Sequence, residues 1–434
     1  MTARRRDRRN PAGPAQPVRS NQPVRTAVSD ESKGRTSSSS RRLLLFLLIP
    51  FAFLAIYRFN RRSPASVSPI LSIYERGLVK PDVAYHEILA ENAKVSKNLS
   101  RRHFPNPVLA YVTPWNSKGY DMAKLFAPKF THISPVWYEL KSEGKKLSLE
   151  GRHNADVGWI SELRRNGDSL QVVPRVVLEA FPAEMLLRKK QWSKAIDIII
   201  KECEDLEYDG IVLESWSRWA AYGVLHDPEL RTMALQFIRK LGEAMHSVNV
   251  KTNVNQHLEL IFVIPAPRSE KLSEHDFGPE DLQQVADFVD GFSLMTYDFS
   301  GPQNPGPNAP LEWVRSSLSM LLGDKEFGSP GPASMIFLGI NFYGNNFLLS
   351  KGLGGGAITG RDFISLLEKH RPVLRWEEKS SEHLFIYSHN NLRHAVFYPS
   401  LMSISVRLDE ARAWGTGLSI WEIGQGLDYF FDLL

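Results

Sequence analysis

Eight short apolar runs follow one another from Pro107 to the end of the chain, and longer amphipathic stretches separate them. The runs, rich in Val, Ile, Leu and aromatic residues, are PVLAYV, THISPVWYEL, QVVPRVVL, GIVLES, LELIFVI, DGFSLMTYD, MIFLGINFYG and TGLSIWE. Such alternation is typical of an α/β protein in which helices connect the strands of a parallel sheet. Because there are eight runs, we predict a closed (β/α)8 TIM barrel over residues 104–434. The count disfavours the alternative, an open doubly wound sheet.

Amphipathic helices are predicted between the runs. In the segment PELRTMALQFIRKLGEAMHS, one apolar stripe is formed by Leu230, Ala234, Phe237, Ile238, Leu241 and Met245, as expected for a helix packed on a barrel. The polar segment RWEEKSSEHLFIYSHNN lies between the seventh and eighth runs, and we predict a small insertion there. With 434 residues, 43% of them hydrophobic, the chain is long enough to bury one barrel-sized core.

Positive charge is concentrated at the start of the chain. Residues 1–62 contain 14 Lys and Arg and three acidic residues, which gives this part a net charge of +11. Because the net charge of the whole chain is +5, the remaining residues carry −6. A mildly acidic body argues against a nucleic-acid-binding surface, which needs clustered basic side chains. Residues 1–42, rich in Arg, Pro, Ser and Gln, are predicted to form a disordered basic cytosolic tail.

The stretch 43–57, LLLFLLIPFAFLAIY, is uninterruptedly apolar. Fifteen helical residues span roughly 22 Å, which suits a signal sequence or a short anchor of the early secretory pathway. We therefore predict a single-pass ER or Golgi membrane protein with a stem over 58–103 and the barrel in the lumen. The alternatives are secretion or lysosomal delivery after cleavage, and an internal helix of a soluble protein. Asn98-Leu99-Ser100 is a glycosylation sequon consistent with lumenal placement.

Four segments of the chain, YDGIVLESW, LMTYD, LGINFYG and the pair FYPSLMS and TGLSIWEIGQ, resemble in this order the motifs of glycoside hydrolase family 18, the chitinases. YDGIVLESW at 208–216 is similar to the fourth-strand signature D-G-x-D-x-D-x-E, LMTYD at 294–298 to the sixth-strand M-x-Y-D, and LGINFYG at 338–344 to the seventh-strand G-x-P-x-Y-G. FYPSLMS at 397–403 followed by TGLSIWEIGQ at 416–425 is similar to the approach to the eighth strand. The valine, glutamate and tryptophan in the first segment resemble the chitinase domain-containing, chitinase-like lectin branch.

The resemblance implies a missing proton donor. The family's general acid is the last glutamate of the fourth-strand signature, and Trp216 stands there in this chain. Family 18 hydrolysis is substrate-assisted and needs one strong acid, whereas an indole N–H cannot release a proton near neutral pH. Alternate strand residues share a face, so Glu214 and Trp216 are both expected to point inward. Glu214 is the first candidate for a substitute acid, and Glu179 and Glu422 are the others.

Sugar-binding residues follow from the same resemblance and from aromatic residues at the strand ends. Aromatic faces stack on the apolar faces of sugar rings, and the family's sixth-strand tyrosine and aspartate face an N-acetyl group. The predicted sugar-binding set is Trp137, Trp216, Tyr297, Asp298, Tyr343 and Trp421. Arg175, a charge inside the third run, is expected to form a salt bridge with Glu214 or Asp298.

No cofactor and no metal site are predicted. Cys203 is the only cysteine, lies on a helical apolar stripe and is expected to be a buried structural thiol. Three functions stay open at this point. The first is a chitinase-like protein that binds chito-oligosaccharide or a related N-acetylhexosamine glycan without efficient cleavage. The second is a family 18 glycosidase that uses Glu214 or another acid. The third is a scaffold or trafficking protein with a vestigial sugar groove and a protein partner that the sequence does not identify.

Overall fold

The computed structural model describes residues 71–144, 146–167, 169–180, 182–251, 253–269, 271–323, 332–349 and 354–434. The predicted tail at 1–42 and the predicted anchor at 43–57 lie outside these described residues, so both stay predictions. Among the described residues, the helices are all too short or too polar to span a bilayer.

Eight parallel strands close into a barrel, as the eight runs predict. In chain order they are Val108–Val112, His132–Glu143, a third strand in two pieces (Gln171–Val172 and Arg175–Leu178), Gly210–Glu214, Glu259–Pro265, Gly291–Met295, Ile336–Asn341 and Gly417–Trp421. Each strand pairs with the next one along the chain. The first strand also pairs with the eighth, Val108 opposite Leu418, which closes the ring. The predicted TIM barrel is confirmed.

The barrel strands are nearly continuous apolar runs because both of their faces are covered. One apolar cluster fills the barrel interior and consists of Leu109, Tyr111, Val173, Val212, Ile261, Val263 and Phe337. A larger cluster lies between the strands and the surrounding helices. Pro174 divides the third strand, since proline has no N–H to donate to a neighbouring strand, although its carbonyl still accepts a hydrogen bond from Val212 N at 3.0 Å.

The described helices are Tyr85–Glu91, Ser117–Leu125, Val157–Asn166, Pro182–Leu186, Lys189–Leu206, Trp216–Ala221, Pro228–His246, Pro279–Val285, Leu311–Leu322, Gly360–His370 and Leu401–Trp414. Asp227 caps the helix that begins at Pro228 by accepting hydrogen bonds from two backbone N–H groups of its first turn. The predicted apolar stripe of this helix is confirmed: its members from Ala234 to Met245 are buried and Leu230 packs at the edge of the core. Cys203 is also buried, as predicted.

An antiparallel sheet of five strands is inserted between the seventh and eighth barrel strands. In spatial order its strands are Gly354–Ile358, Gly344–Leu348, Leu392–Phe397, Glu382–His389 and Arg375–Glu377. The predicted insertion is therefore present and is larger than the polar segment alone indicates. Two shorter hairpin strands, Lys146–Glu150 and Asn249–Val250, pair with His132–Glu143 and Asn253–His257 respectively.

The segment before the barrel is folded against it. Ile73 and Ile88 are buried in the large apolar cluster, and the Ser96 N–H donates to Asp432 Oδ1 at 3.0 Å. The chain from Pro69 to Leu434 forms one compact unit. The described part of the predicted stem over 58–103, residues 71–103, thus packs on the barrel through scattered apolar residues, whereas residues 58–70 lie outside the described residues.

Candidate functional site

The carboxyl ends of the barrel strands form a mouth that is lined by aromatic and charged side chains. Trp421 ends the eighth strand, and its ring centroid lies 5.2 Å from that of Tyr111 on the first strand. Tyr111 is buried and donates its hydroxyl hydrogen to Ser293 Oγ at 2.8 Å. The Arg175 guanidinium also lies over the Trp421 ring, 5.2 Å from its centroid. Trp421 is thus held half-buried with a fixed ring orientation.

Arg175 and Glu214 form an ion pair inside the mouth. Of the two partners predicted for Arg175, Glu214 and Asp298, the first is confirmed. The Arg175 Nε–H donates to Glu214 Oε2 at 2.6 Å, and the side chains are only 14% and 20% exposed. The two residues come from adjacent strands, where Val177 is directly opposite Glu214. Each charge therefore compensates the other in a site from which most water is excluded.

Tyr297, Asp298 and Tyr343 lie together at the ends of the sixth and seventh strands. Tyr343 donates its hydroxyl hydrogen to Asp298 Oδ1, and the rings of Tyr297 and Tyr343 are nearly perpendicular with centroids 6.4 Å apart. Burial raises the pKa of both phenols well above their usual range, so both keep their hydrogens at neutral pH. Asp298 itself is exposed. The cluster therefore offers the hydroxyl of the partly exposed Tyr297 and one solvent-facing carboxylate, which the buried Tyr343 orients.

Two backbone features fix the position of this cluster. Asp298 adopts a left-handed conformation with φ of 60°, which aspartate tolerates better than most residues, and its N–H donates to Asn308 Oδ1 at 2.8 Å. A Cβ at Gly339 would lie 2.4 Å from the Leu294 carbonyl oxygen and 3.0 Å from Tyr297 Cε1. Glycine at 339 thus lets the backbone of the sixth strand approach closely and leaves room for the Tyr297 ring.

Comparison with known proteins agrees with this geometry. The model of the family "Glycosyl hydrolases family 18" matches residues 108–426, which is most of the chain. The chain belongs to glycosyl hydrolase family 18. Among solved structures, a chitinase from Chromobacterium violaceum is 21% identical, with a TM-score of 0.60 over 76% of this chain and 98% of that chain.

Two further solved structures share the fold. The spore cortex-lytic enzyme SleL of Bacillus cereus is 17% identical, with a TM-score of 0.60 over 82% of this chain and 84% of its own. A chitinase from Cycas revoluta in complex with (GlcNAc)3 is 16% identical, with a TM-score of 0.60 over 75% of this chain and 97% of its own. At these identities the likeness shows the shared fold, and the chemistry has to be argued from this chain's own residues.

Trp216, which the motif resemblance places at the position of the family's acid, does not face the mouth. The fourth strand ends at Glu214 and a helix begins at Trp216, so the strand alternation that would point residue 216 inward has already stopped. The side chain is fully buried, its indole N–H donates to the His275 carbonyl at 3.0 Å, and its ring packs edge-on against Phe277 at 4.9 Å. The predictions that Trp216 points inward and binds sugar are wrong.

Trp137 is also a core residue, against its predicted role in sugar binding. The pairing of the second and third strands passes from Val136 directly to Tyr138, so a β-bulge at Trp137 interrupts the alternation of side chains. Trp137 and Tyr138 both join the outer apolar cluster, and the Trp137 indole N–H donates to the Tyr120 hydroxyl oxygen at 2.7 Å. Only 3% of Trp137 is exposed, which leaves no face for a sugar ring.

The two other candidate acids are committed to structural roles. Glu179 forms an ion pair with Arg218 at 2.5 Å on the rim of the barrel. Glu422 is fully buried, where its carboxylate accepts hydrogen bonds from Gly424 N at 2.9 Å and from the Asn116 side-chain amide. Burial raises the pKa of Glu422 to about 7, although these two hydrogen bonds and the Lys118 ammonium act in the opposite direction. That pKa would suit a general acid, but the carboxyl is out of reach of any substrate.

The raised pKa of Glu422 predicts a pH-dependent stability. Its pKa rises from 4.5 to about 7 on folding, so the folded protein holds this proton more tightly than the unfolded chain. The contribution is therefore fully present below pH 4.5 and is lost as the pH rises to about 7, by roughly 3 kcal/mol.

Urea unfolding between pH 4.5 and 8 checks this prediction. Compared with the unsubstituted protein, Glu422→Gln should gain relative stability as the pH rises, whereas the exposed Glu378→Gln should follow the unsubstituted curve. Parallel curves for all three proteins would contradict the assignment.

Tyr111 was not among the predicted site residues. Its ring packs against that of Trp421, and its hydroxyl donates a hydrogen bond across the barrel to Ser293. The sequence contains an indication of this role, because Tyr111 is the one residue with a polar group in the apolar run VLAYV. Its position inside the barrel follows from alternation with Leu109, which lies in the same interior cluster.

Proposed function

We propose that the barrel mouth binds chito-oligosaccharide or a related N-acetylhexosamine glycan and cleaves it inefficiently or not at all. This function is that of a chitinase-like lectin. Trp421 would stack on the apolar face of one sugar ring, and Tyr297 and Asp298 would hydrogen-bond to its polar groups. Tyr343 is 4% exposed, and its hydroxyl would hold the Asp298 carboxylate in place. The Cycas revoluta relative, whose structure contains (GlcNAc)3, supports this ligand class.

The proposal that cleavage is inefficient rests on one observation. At the position of the family's acid, residue 216 is a tryptophan whose side chain is buried among Trp219, Phe262 and Phe277. The position thus supplies neither an ionisable group nor access to the mouth. Hydrolysis at neutral pH needs a proton donor within hydrogen-bond reach of the departing oxygen, and Glu179 and Glu422 are held elsewhere.

A glycosidase that uses Glu214 is the second candidate. The specific observation in its favour is the place of Glu214, which ends the fourth strand and remains partly exposed in the mouth. Against it stands the ion pair with Arg175, which the carboxyl would have to leave before it could protonate a glycosidic oxygen.

A combined binding and turnover assay on the full chain separates the two candidates. We expect retention on immobilised chitohexaose and no release of reducing ends from labelled chitotriose in the same preparation. Release that disappears in Glu214→Gln would favour the glycosidase instead. Absence of binding to any N-acetylhexosamine polymer would contradict the proposal and leave the scaffold function.

A further inference from the structure

Three potential metal ligands converge at the end of the barrel opposite the mouth. His246 is the last residue of the helix Pro228–His246, and His257 is the last residue of the strand Asn253–His257. Asp290 immediately precedes the sixth barrel strand, Gly291–Met295. These residues are too far apart in sequence to make a ligand motif, so only the fold brings them together.

The geometry of the three side chains is already close to that of a metal site. His246 Nε2 lies 3.0 Å from Asp290 Oδ2, and His257 Nε2 lies 2.9 Å from Asp290 Oδ1. Their ligand atoms all fall within 4.8 Å of one another. In a tetrahedral zinc site with bonds of about 2.0 Å, neighbouring ligand atoms are roughly 3.3 Å apart. Small side-chain rotations would therefore let all three face one ion.

Two other contacts hold this arrangement in place. The Leu260 N–H donates to Asp290 Oδ2 at 2.7 Å, which orients the carboxylate from the backbone of the fifth barrel strand. The two imidazole rings pack with centroids 4.3 Å apart. Both histidines are partly exposed, at 26% and 43%, so an ion could enter and water could complete its coordination.

We propose that His246, His257 and Asp290 form a Zn²⁺ site with one open coordination position. Two imidazoles and a carboxylate are a donor set that zinc favours, and the ion would replace the two hydrogen bonds between Asp290 and the histidines. The site would link the helix, the hairpin strand and the barrel at the amino ends of the strands. It is independent of the sugar-binding proposal because it lies at the other end of the barrel.

Titration of the EDTA-treated full chain with ZnCl₂ by calorimetry tests the proposal. We expect one ion per chain, a higher thermal midpoint with zinc, and a visible absorption band from tetrahedral Co²⁺. Loss of an outer-sphere partner alone weakens metal sites about 10–100-fold. Removal of a direct ligand in His246→Gln or His257→Gln should therefore weaken binding by at least about 100-fold.

His226→Gln is the matched control. It removes a histidine that pairs with a carboxylate, with Nδ1 3.0 Å from Glu274 Oε2, and it lies outside the three-residue cluster, so zinc affinity should not change. Asp290→Asn is less informative because it also alters the acceptor of the Leu260 N–H. The proposal is overturned if zinc causes no binding heat, or if both histidine variants bind zinc as tightly as the unsubstituted chain.

Discussion

We expect the substitution Trp216→Glu, which introduces a glutamate where the motif resemblance places the family's acid, to destabilise the barrel severely and to create no hydrolase. The indole fills a closed space beside Phe262 and Phe277, and the Arg231 guanidinium lies 5.1 Å from its centroid. Truncation of a buried tryptophan costs about 3–5 kcal/mol, and an unpaired buried carboxyl adds to that cost. Since domains of this kind are stable by about 5–15 kcal/mol, much of the chain should unfold.

Urea unfolding and chitotriose hydrolysis are the measurements for this substitution. Trp216→Phe is the first control, because it keeps most of the apolar volume and loses mainly the hydrogen bond to the His275 carbonyl. Trp115→Glu is the second, since Trp115 is 63% exposed and its replacement should leave the midpoint almost unchanged. A stable Trp216→Glu variant that releases reducing ends would place residue 216 in the mouth and refute our interpretation.

The substitution Trp421→Ala should reduce affinity for chitohexaose by at least about 100-fold, or roughly 3 kcal/mol. Trp421 is the aromatic side chain that ends the eighth strand over the barrel interior, in contact with Tyr111 and Arg175. Its removal takes away the flat apolar surface proposed for sugar stacking and leaves the guanidinium without its aromatic partner. Titration calorimetry with chitohexaose measures the loss.

Trp414→Ala is the matched control for this loss. Trp414 is also half-buried and precedes the same strand, but it lies at the strand's amino end, where its indole N–H donates to Glu410 Oε1 at 2.9 Å. This variant should bind chitohexaose normally, and Trp421→Tyr should retain most of the affinity because it keeps a flat ring. Equal affinities of Trp421→Ala and the unsubstituted chain would exclude the mouth as the glycan site.

Much of the barrel could be predicted from local sequence. Strands buried on both faces need apolar runs, and each helix packed on them needs one apolar stripe, so these patterns appear in the sequence however the chain is arranged. The motif LMTYD placed Tyr297 and Asp298 at the end of the sixth strand, and the structure puts them beside Tyr343. The limits of the folded unit were not predictable, because residues 71–103 follow no regular period.

The errors in the site have a common cause. Strand alternation predicts the direction of a side chain only while the strand continues without a bulge. A bulge turns Trp137 outward, and the strand ends before Trp216. Neither the bulge nor the strand end can be recognised from the neighbouring residues, since the same tryptophan could equally occupy an unbroken strand.

The sequence by itself determined the family, the eight-stranded barrel and the absence of a glutamate at residue 216, because these depend on residue types and on short periodic patterns. Only the tertiary structure decided that the Trp216 indole fills the core, that Arg175 neutralises Glu214, and that His246 and His257 meet at Asp290. These outcomes depend on strand register and on contacts between residues distant in sequence. Such contacts exist only after the barrel has closed.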